Sequence, residues 1–204
     1  MHEVKSVIFD WSGTISDDFG VLYEIVMEIF EEHGVKRVSR EDFLAAYTLP
    51  YMASINQFFA VTKEEWDGKF KKKWTEKGRP NLLPNAKETL DYLKSKGIVM
   101  HVFTSHPENF IMREIDDYGL HGYFTKIFAG HYDKKDAVLS VISTLNVRPE
   151  TLLYVGDTTH DMEAGKHAGI KTAAVLSGYN SEESLRALNP TFVFKNISEL
   201  KNFF

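Results

Sequence analysis

The chain has 204 residues, 43% hydrophobic and 26% charged, which suits a globular protein with its own core and excludes a disordered one. A net charge of −5 argues against a general affinity for nucleic acid, and the absence of cysteine removes disulfides, thiolate nucleophiles and cysteine zinc sites. No apolar run approaches the roughly 20 residues that span a bilayer, so no membrane association is expected.

From the N-terminus, Met1–Ser6 leads straight into the apolar run Val7-Ile8-Phe9, which leaves no room for a signal peptide and points to a cytoplasmic protein. Val7–Phe9 reads as a buried strand. From about Asp18 to Arg79 no strand is expected. Helical patterns occur near Val21–His33, Arg40–Tyr47, Met52–Ala60 and Glu64–Lys77. Gly34 and Gly78 look like stops, and Thr62 with Glu65 has the spacing of a capping box. The basic run Lys69-Phe70-Lys71-Lys72-Lys73, flanked by Glu64, Glu65, Asp67 and Glu76, reads as a solvated helix face. Pro80 and Pro84 bracket the return to strands.

Ile98–Thr104, Lys126–Ala129, Leu152–Val155 and Lys171–Leu176 are short, rich in β-branched residues and suited to burial on both faces, with Thr191–Phe194 as an edge. Helical stripes fall between most of them: Leu90 and Leu93 leading to Gly97, Val138 to Leu145, and Met162 to Ala168. Strand alternating with helix predicts an α/β fold, a Rossmann-like doubly wound parallel sheet in residues 1–17 and 80–204. Residues 18–79 form a helical insert after the first strand. Ligands of such sheets bind beyond the carboxyl ends of the strands, so the insert is expected to act as a lid.

Two strands end in acids. Phe9-Asp10-Trp11-Ser12-Gly13-Thr14 delivers a carboxylate at the end of the first strand, before a Gly-Thr turn. Tyr154-Val155-Gly156-Asp157 does so again, and Asp161 follows four positions on, where a helix begins. Together these acids make an oxygen-rich site suited to a hard cation such as Mg²⁺. Alone, Asp10 would pass as a turn residue and Asp161 as a helix cap.

In order and placement these segments resemble the haloacid dehalogenase superfamily with a helical cap. Asp10–Thr14 matches the first motif, Thr104 the second, Lys134 the third, and Gly156-Asp157 through Asp161 the fourth. The resemblance covers nearly the whole chain. It implies a hydrolase, most simply a phosphatase of a small phosphorylated metabolite, working through an aspartyl-phosphate on Asp10. It also implies Mg²⁺ held by Asp10, the Ser12 carbonyl, Asp157 and Asp161. Thr104 would donate to a phosphate oxygen, and Lys134, or the adjacent Lys135, would add positive charge. Gly13, Thr14 and Ser105 would touch substrate. From the cap, Tyr47 and Tyr51 are candidate lining residues, with Met52, Asn56, Gln57, Phe58 and Phe59 as lining or packing. A monomer or homodimer is expected.

One position departs from the family. Most of its phosphatases carry a second Asp two residues after the nucleophile, which protonates the leaving oxygen and then activates water. Here that residue is Ser12, whose hydroxyl cannot do that work alone, and such a loss costs about 10²–10⁴ in rate. Asp17, Asp18, His106 and His160 are possible stand-ins. Trp11 with a small residue after it also resembles phosphonoacetaldehyde hydrolase, which cleaves a carbon–phosphorus bond. That chemistry needs a cap lysine, and Ala45–Met52 contains none. A low-turnover phosphate-binding module is a third reading.

Overall fold

Strand β1 (Ser6–Phe9) is buried at every position and hydrogen-bonded along both edges, as its sequence Ser-Val-Ile-Phe suits. The computed structural model describes residues 3–204. After β1 come β2 (Ser16–Asp17), then helices α1 (Phe19–Glu32), α2 (Arg40–Ala46), α3 (Met52–Ile55) and α4 (Lys63–Lys77). The chain continues through β3 (Asn81–Leu82), α5 (Ala86–Ser95), β4 (Val99–Phe103), α6 (Glu108–Tyr118), β5 (Lys126–Phe128) and α7 (Lys134–Ser143). It ends with β6 (Leu152–Gly156), α8 (Thr159–His167), β7 (Lys171–Val175), α9 (Glu182–Ala187) and β8 (Phe192–Phe194). No helix among the described residues is long and apolar enough to cross a membrane.

The main sheet has the order β5-β4-β1-β6-β7-β8 and every pairing is parallel, the doubly wound arrangement expected from the sequence. The chain builds outward from β1 through β4 to β5, then returns to β6 on the other side. The switch point therefore lies at β1, where open α/β sheets bind ligands. Val7 and Phe9 pack with α5, α6 and the turn at Ile197–Asn202. Ile8, Phe103 and Tyr154 pack with α7 and α8 on the opposite face. Alternation along each strand thus feeds two apolar layers.

Chain contacts divide the molecule into two compact units, one running to Asp17 and resuming at Asn81–Phe204, the other Asp18–Pro80. Asp17 and Asn81 are register partners in the small antiparallel β2–β3 ribbon, so the chain leaves and re-enters the first unit at one place. Pro80 falls with the helical unit.

That second unit is held by aromatics. Trp66, Phe70 and Trp74 repeat at i, i+4 spacing along α4 and stack in sequence, at 6.4 and 5.5 Å between centroids. Phe30 of α1 meets Phe58 at 5.0 Å and Phe59 at 5.5 Å, which makes both packing residues. The basic run differs from its sequence reading. Lys69 pairs with Glu32 at 3.1 Å, Lys73 with Glu28 and Glu32 at 3.1 and 2.7 Å, while Lys71 and Lys72 are exposed. Residues at 69 and 73 share a helix face, and α1 presents acids to that face.

Other differences are local. Met52–Ala60 is helical only over Met52–Ile55; Ser54 bonds both backbone groups of Thr48, and Gln57 donates to the Ala46 and Ala53 carbonyls at 3.2 Å. Helix α6 was not anticipated. Its buried face is Phe110, Ile111, Glu114 and Ile115, so a charge interrupts the apolar stripe.

Candidate active site

The carboxyl ends of β1 and β6 place Asp10 and Asp157 side by side, since Phe9 pairs with Val155 and the Asp10 N–H donates to the Val155 carbonyl at 2.8 Å. Asp161 arrives from the first turn of α8. Among the described residues, Asp10, Asp157 and Asp161 are buried and offer carboxylate oxygens within 4.8 Å of one another. Lys134, at the start of α7, donates to Asp10 Oδ1 at 2.7 Å and Asp161 Oδ1 at 2.6 Å. Lys134 rather than Lys135 is therefore the lysine of the cluster.

Each acid is held differently. Thr158 and Asp161 form a reciprocal capping box, so Asp161 does cap α8 as well as face the cluster. Asp161 also accepts from the Tyr154 hydroxyl at 2.7 Å. Asp157 accepts from the Thr14 hydroxyl at 3.0 Å and the Tyr179 N–H at 2.8 Å. Two glycines let the chain close on it: a Cβ on Gly13 would lie 2.4 Å from its Oδ2, and one on Gly178 only 1.9 Å. Gly13 also sits at φ +68°, a left-handed conformation that favours glycine. Gly13 and Thr14 were expected against substrate. Both are buried, and both lie against Asp157.

Electrostatically the cluster is unbalanced. Burial raises the Asp10 carboxyl to about 6, with Lys134 pulling it down and Asp161 pushing it up. Asp157 is raised well above the carboxylate range by burial, then by repulsion from Asp10 and Asp161. Asp161 goes the other way: burial opposes its charge, but Lys134, Thr158 and Tyr154 outweigh it and hold the group low. The Lys134 ammonium is also buried, yet Asp10 and Asp161 keep it charged, with its pKa above the usual lysine value.

Thr104, at the end of β4, is fully buried, and its Oγ1 accepts from the His106 N–H at 3.1 Å. A hydroxyl accepting there can still donate to a ligand. Ser12 and Ser105 are half-buried. The stand-ins considered for a missing acid–base group are placed as follows. The His160 ring accepts the Lys134 backbone N–H through Nε2 at 2.8 Å, and burial lowers its pKa, so it is a neutral anchor for α7. His106 Nε2 lies 3.1 Å from buried Glu114. Asp17 is exposed in the ribbon, and Asp18 belongs to the helical unit.

Tyr47 and Tyr51 also belong to the helical unit. Tyr47 follows α2, with its ring 6.2 Å from Phe43. The Tyr51 hydroxyl donates to Asp67, and Lys63 lies over its ring. Sequence reasoning did not single out Tyr154, Gly178 or the Tyr179 N–H. The last two act through backbone geometry, which leaves little trace in residue type.

A parallel α/β sheet that gathers acids and a lysine at the carboxyl ends of its strands has the layout of an enzyme core. Residues 7–175 match the haloacid dehalogenase-like hydrolase family, and the chain belongs to it. It is 30% identical to the phosphoglycolate phosphatase of Aquifex aeolicus over 97% of this chain and 95% of that protein. It is 35% identical to phosphoglycolate phosphatase 1 of Pseudomonas aeruginosa, a match covering 58% of this chain and 46% of that relative. In structure it is similar to a haloacid dehalogenase-like family hydrolase of Streptococcus pneumoniae, with a TM-score of 0.86 over 100% of both chains at 20% identity.

Proposed function

We propose that this chain is a Mg²⁺-dependent phosphoric monoester hydrolase acting on a small phosphorylated metabolite, with Asp10 as the nucleophile. The observation that carries the reading is the buried group of Asp10, Asp157 and Asp161 around the single ammonium of Lys134. Three acids and one cation hold excess negative charge away from water, and two of the acids are pushed up in consequence. A hard divalent cation with a preference for oxygen is the partner this donor set fits. Asp10, Asp157, Asp161 and the Ser12 carbonyl would hold it. When bound, such a cation neutralises charge between carboxylate and phosphate and orients the phosphoryl group.

Lys134 holds Asp10 Oδ1, which steers the carboxylate and stabilises its ionised form. A carboxylate oxygen of Asp10 bonds to phosphorus as the bond to the leaving oxygen breaks, and the leaving alcohol takes up a proton. Water then attacks phosphorus, releasing phosphate and restoring the carboxylate. Thr104 and Ser105 donate to phosphate oxygens. The helical unit is the specificity element, with Tyr47 and Tyr51 as its contacts to substrate. Ser12 supplies no acid, so hydrolysis of the intermediate is the slow step. Carbon–phosphorus cleavage is the second reading, and the lack of a lysine in Ala45–Met52 weighs against it.

The phosphoglycolate phosphatases among the relatives make 2-phosphoglycolate the first substrate to try. Phosphate release from a panel of phosphorylated metabolites, with phosphonoacetaldehyde included, is measured in Mg²⁺ and in EDTA. Activity is expected in Mg²⁺ only, with a burst of product matching enzyme concentration. Asp10→Asn should lose about four orders of magnitude in kcat without a lower melting temperature. Full activity in chelator, or near-native turnover by Asp10→Asn, would defeat the reading.

A further inference from the structure

Trp11 packs in the apolar layer shared with α5 and α6, stacked on Tyr118 with centroids 6.1 Å apart. Its indole N–H donates to Glu114 Oε2 at 2.7 Å, and the Ser16 hydroxyl donates to the same oxygen at 3.1 Å. Glu114 Oε1 lies 3.1 Å from His106 Nε2, and the His106 backbone N–H reaches Thr104 Oγ1. One carboxylate of α6, 1% exposed, therefore joins the residue after Asp10, the first residue of β2 and the turn after Thr104.

Burying a carboxylate costs several kcal/mol unless every lone pair finds a donor, and an apolar residue would continue the face made by Phe110, Ile111 and Ile115. All the Glu114 partners lie outside the turns of its own helix, so its bonds hold segments that sequence leaves far apart. Burial opposes its charge, but the bonds from His106, Trp11 and Ser16 outweigh it and hold the carboxyl below its ordinary value. The carboxylate is charged and satisfied.

We propose that Glu114 is a positioning residue of the phosphoryl site: it locks the turn after Asp10 to the turn after Thr104, so that the attacking carboxylate and the Thr104 hydroxyl meet one phosphoryl group. The proposal rests on the roles given above to Asp10 and Thr104. Misplacing reacting groups by about 1 Å costs about 10²-fold in rate, so a lock of this kind is worth a buried charge.

The experiment uses Glu114→Gln, Trp11→Phe and the double variant in the full-length chain, with ¹⁵N-labelled tryptophan. The Trp11 indole resonance is the one lost in Trp11→Phe, and it should shift in Glu114→Gln. In Glu114→Gln, kcat should fall about a hundredfold while KM rises no more than about tenfold. Inorganic phosphate in Mg²⁺, followed by its shifts of backbone resonances, should bind about tenfold more weakly. Trp11→Phe should lose less, and the double variant no more than Glu114→Gln, because both break one lock. Should the native chain turn over nothing in the panel, the phosphatase reading fails and the phosphate titration still judges Glu114. A shifted indole resonance with native kcat and native phosphate affinity would overturn the proposal. So would an unshifted resonance. Should Glu114→Gln not fold, native kinetics and phosphate affinity in Trp11→Phe overturn it as well.

Discussion

Asp10 and Trp11 are neighbours in the chain but belong to different buried networks. Asp10 joins Asp157, Asp161 and Lys134, three acids against one cation, and two of those acids are pushed up in pKa. Trp11 joins Glu114, Ser16 and His106, one acid against several donors, and that acid is held low. Both networks are buried and closely bonded. The first is short of positive charge, which suits a site that receives a cation and a phosphoryl group. The second is complete, which suits a part that should not move. An unbalanced buried cluster thus points to a ligand, and a balanced one to a fixed support.

The comparison can be broken most forcefully at Lys134. Lys134→Met removes the only ammonium among three buried carboxylates and should cost about 3 kcal/mol in EDTA, a fall in melting temperature on the order of 6–12 °C. Mg²⁺ should restore more stability to this variant than it adds to the native chain. If the variant melts like the native chain in EDTA, the cluster does not carry the excess charge described.

A gentler change sharpens the same side. Gly178→Ala places a methyl where only 1.9 Å separates it from Asp157 Oδ2, so the loop after β7 must shift and release the acid. Mg²⁺ affinity by titration calorimetry should fall about 10–100-fold, as when other groups that orient metal ligands are lost. Native affinity would show that Asp157 keeps its place without the close approach.

His101 is a third case, a buried polar group in neither network. It is 1% exposed on β4, and neither ring nitrogen has a hydrogen-bond partner among the described residues. Burial, with Lys126 adding to it, lowers its pKa to about 4 from 6.5. Below about pH 6.5 the unfolded chain takes up a proton that the folded chain refuses until about pH 4. This contribution to stability is therefore complete above pH 6.5 and falls as pH drops through that window, by about 3 kcal/mol at its foot. His101→Leu should flatten that part of the pH dependence of denaturant midpoints and gain about 1 kcal/mol at pH 7. An unchanged slope between pH 6.5 and 4 would mean the ring is not buried neutral.

Much of the site was legible because its signals are local. Asp10 and Asp157 end apolar runs, and Asp161 falls where a helix begins, so each could be placed on an element before any contact was known. The same logic separated the helical stretch from the strands. It failed at α6, where Glu114 interrupts the apolar stripe, and at Lys69 and Lys73, whose acidic partners lie on α1 rather than beside them. Nor did it show that Thr14 donates to Asp157 and that Gly13 makes room for it, since both depend on how the turn packs.

Alternating strand and helix patterns, and acids at strand ends, were determined by the sequence itself, because periodicity and turn chemistry act over a few residues. Lys134 over Lys135, His160 as an anchor rather than an acid, and Trp11 as the partner of Glu114 were decided only by the tertiary structure. Each depends on a group 26 to 103 positions away in the chain, and on which face of an element meets it. Such pairings are products of packing, and no local pattern encodes them.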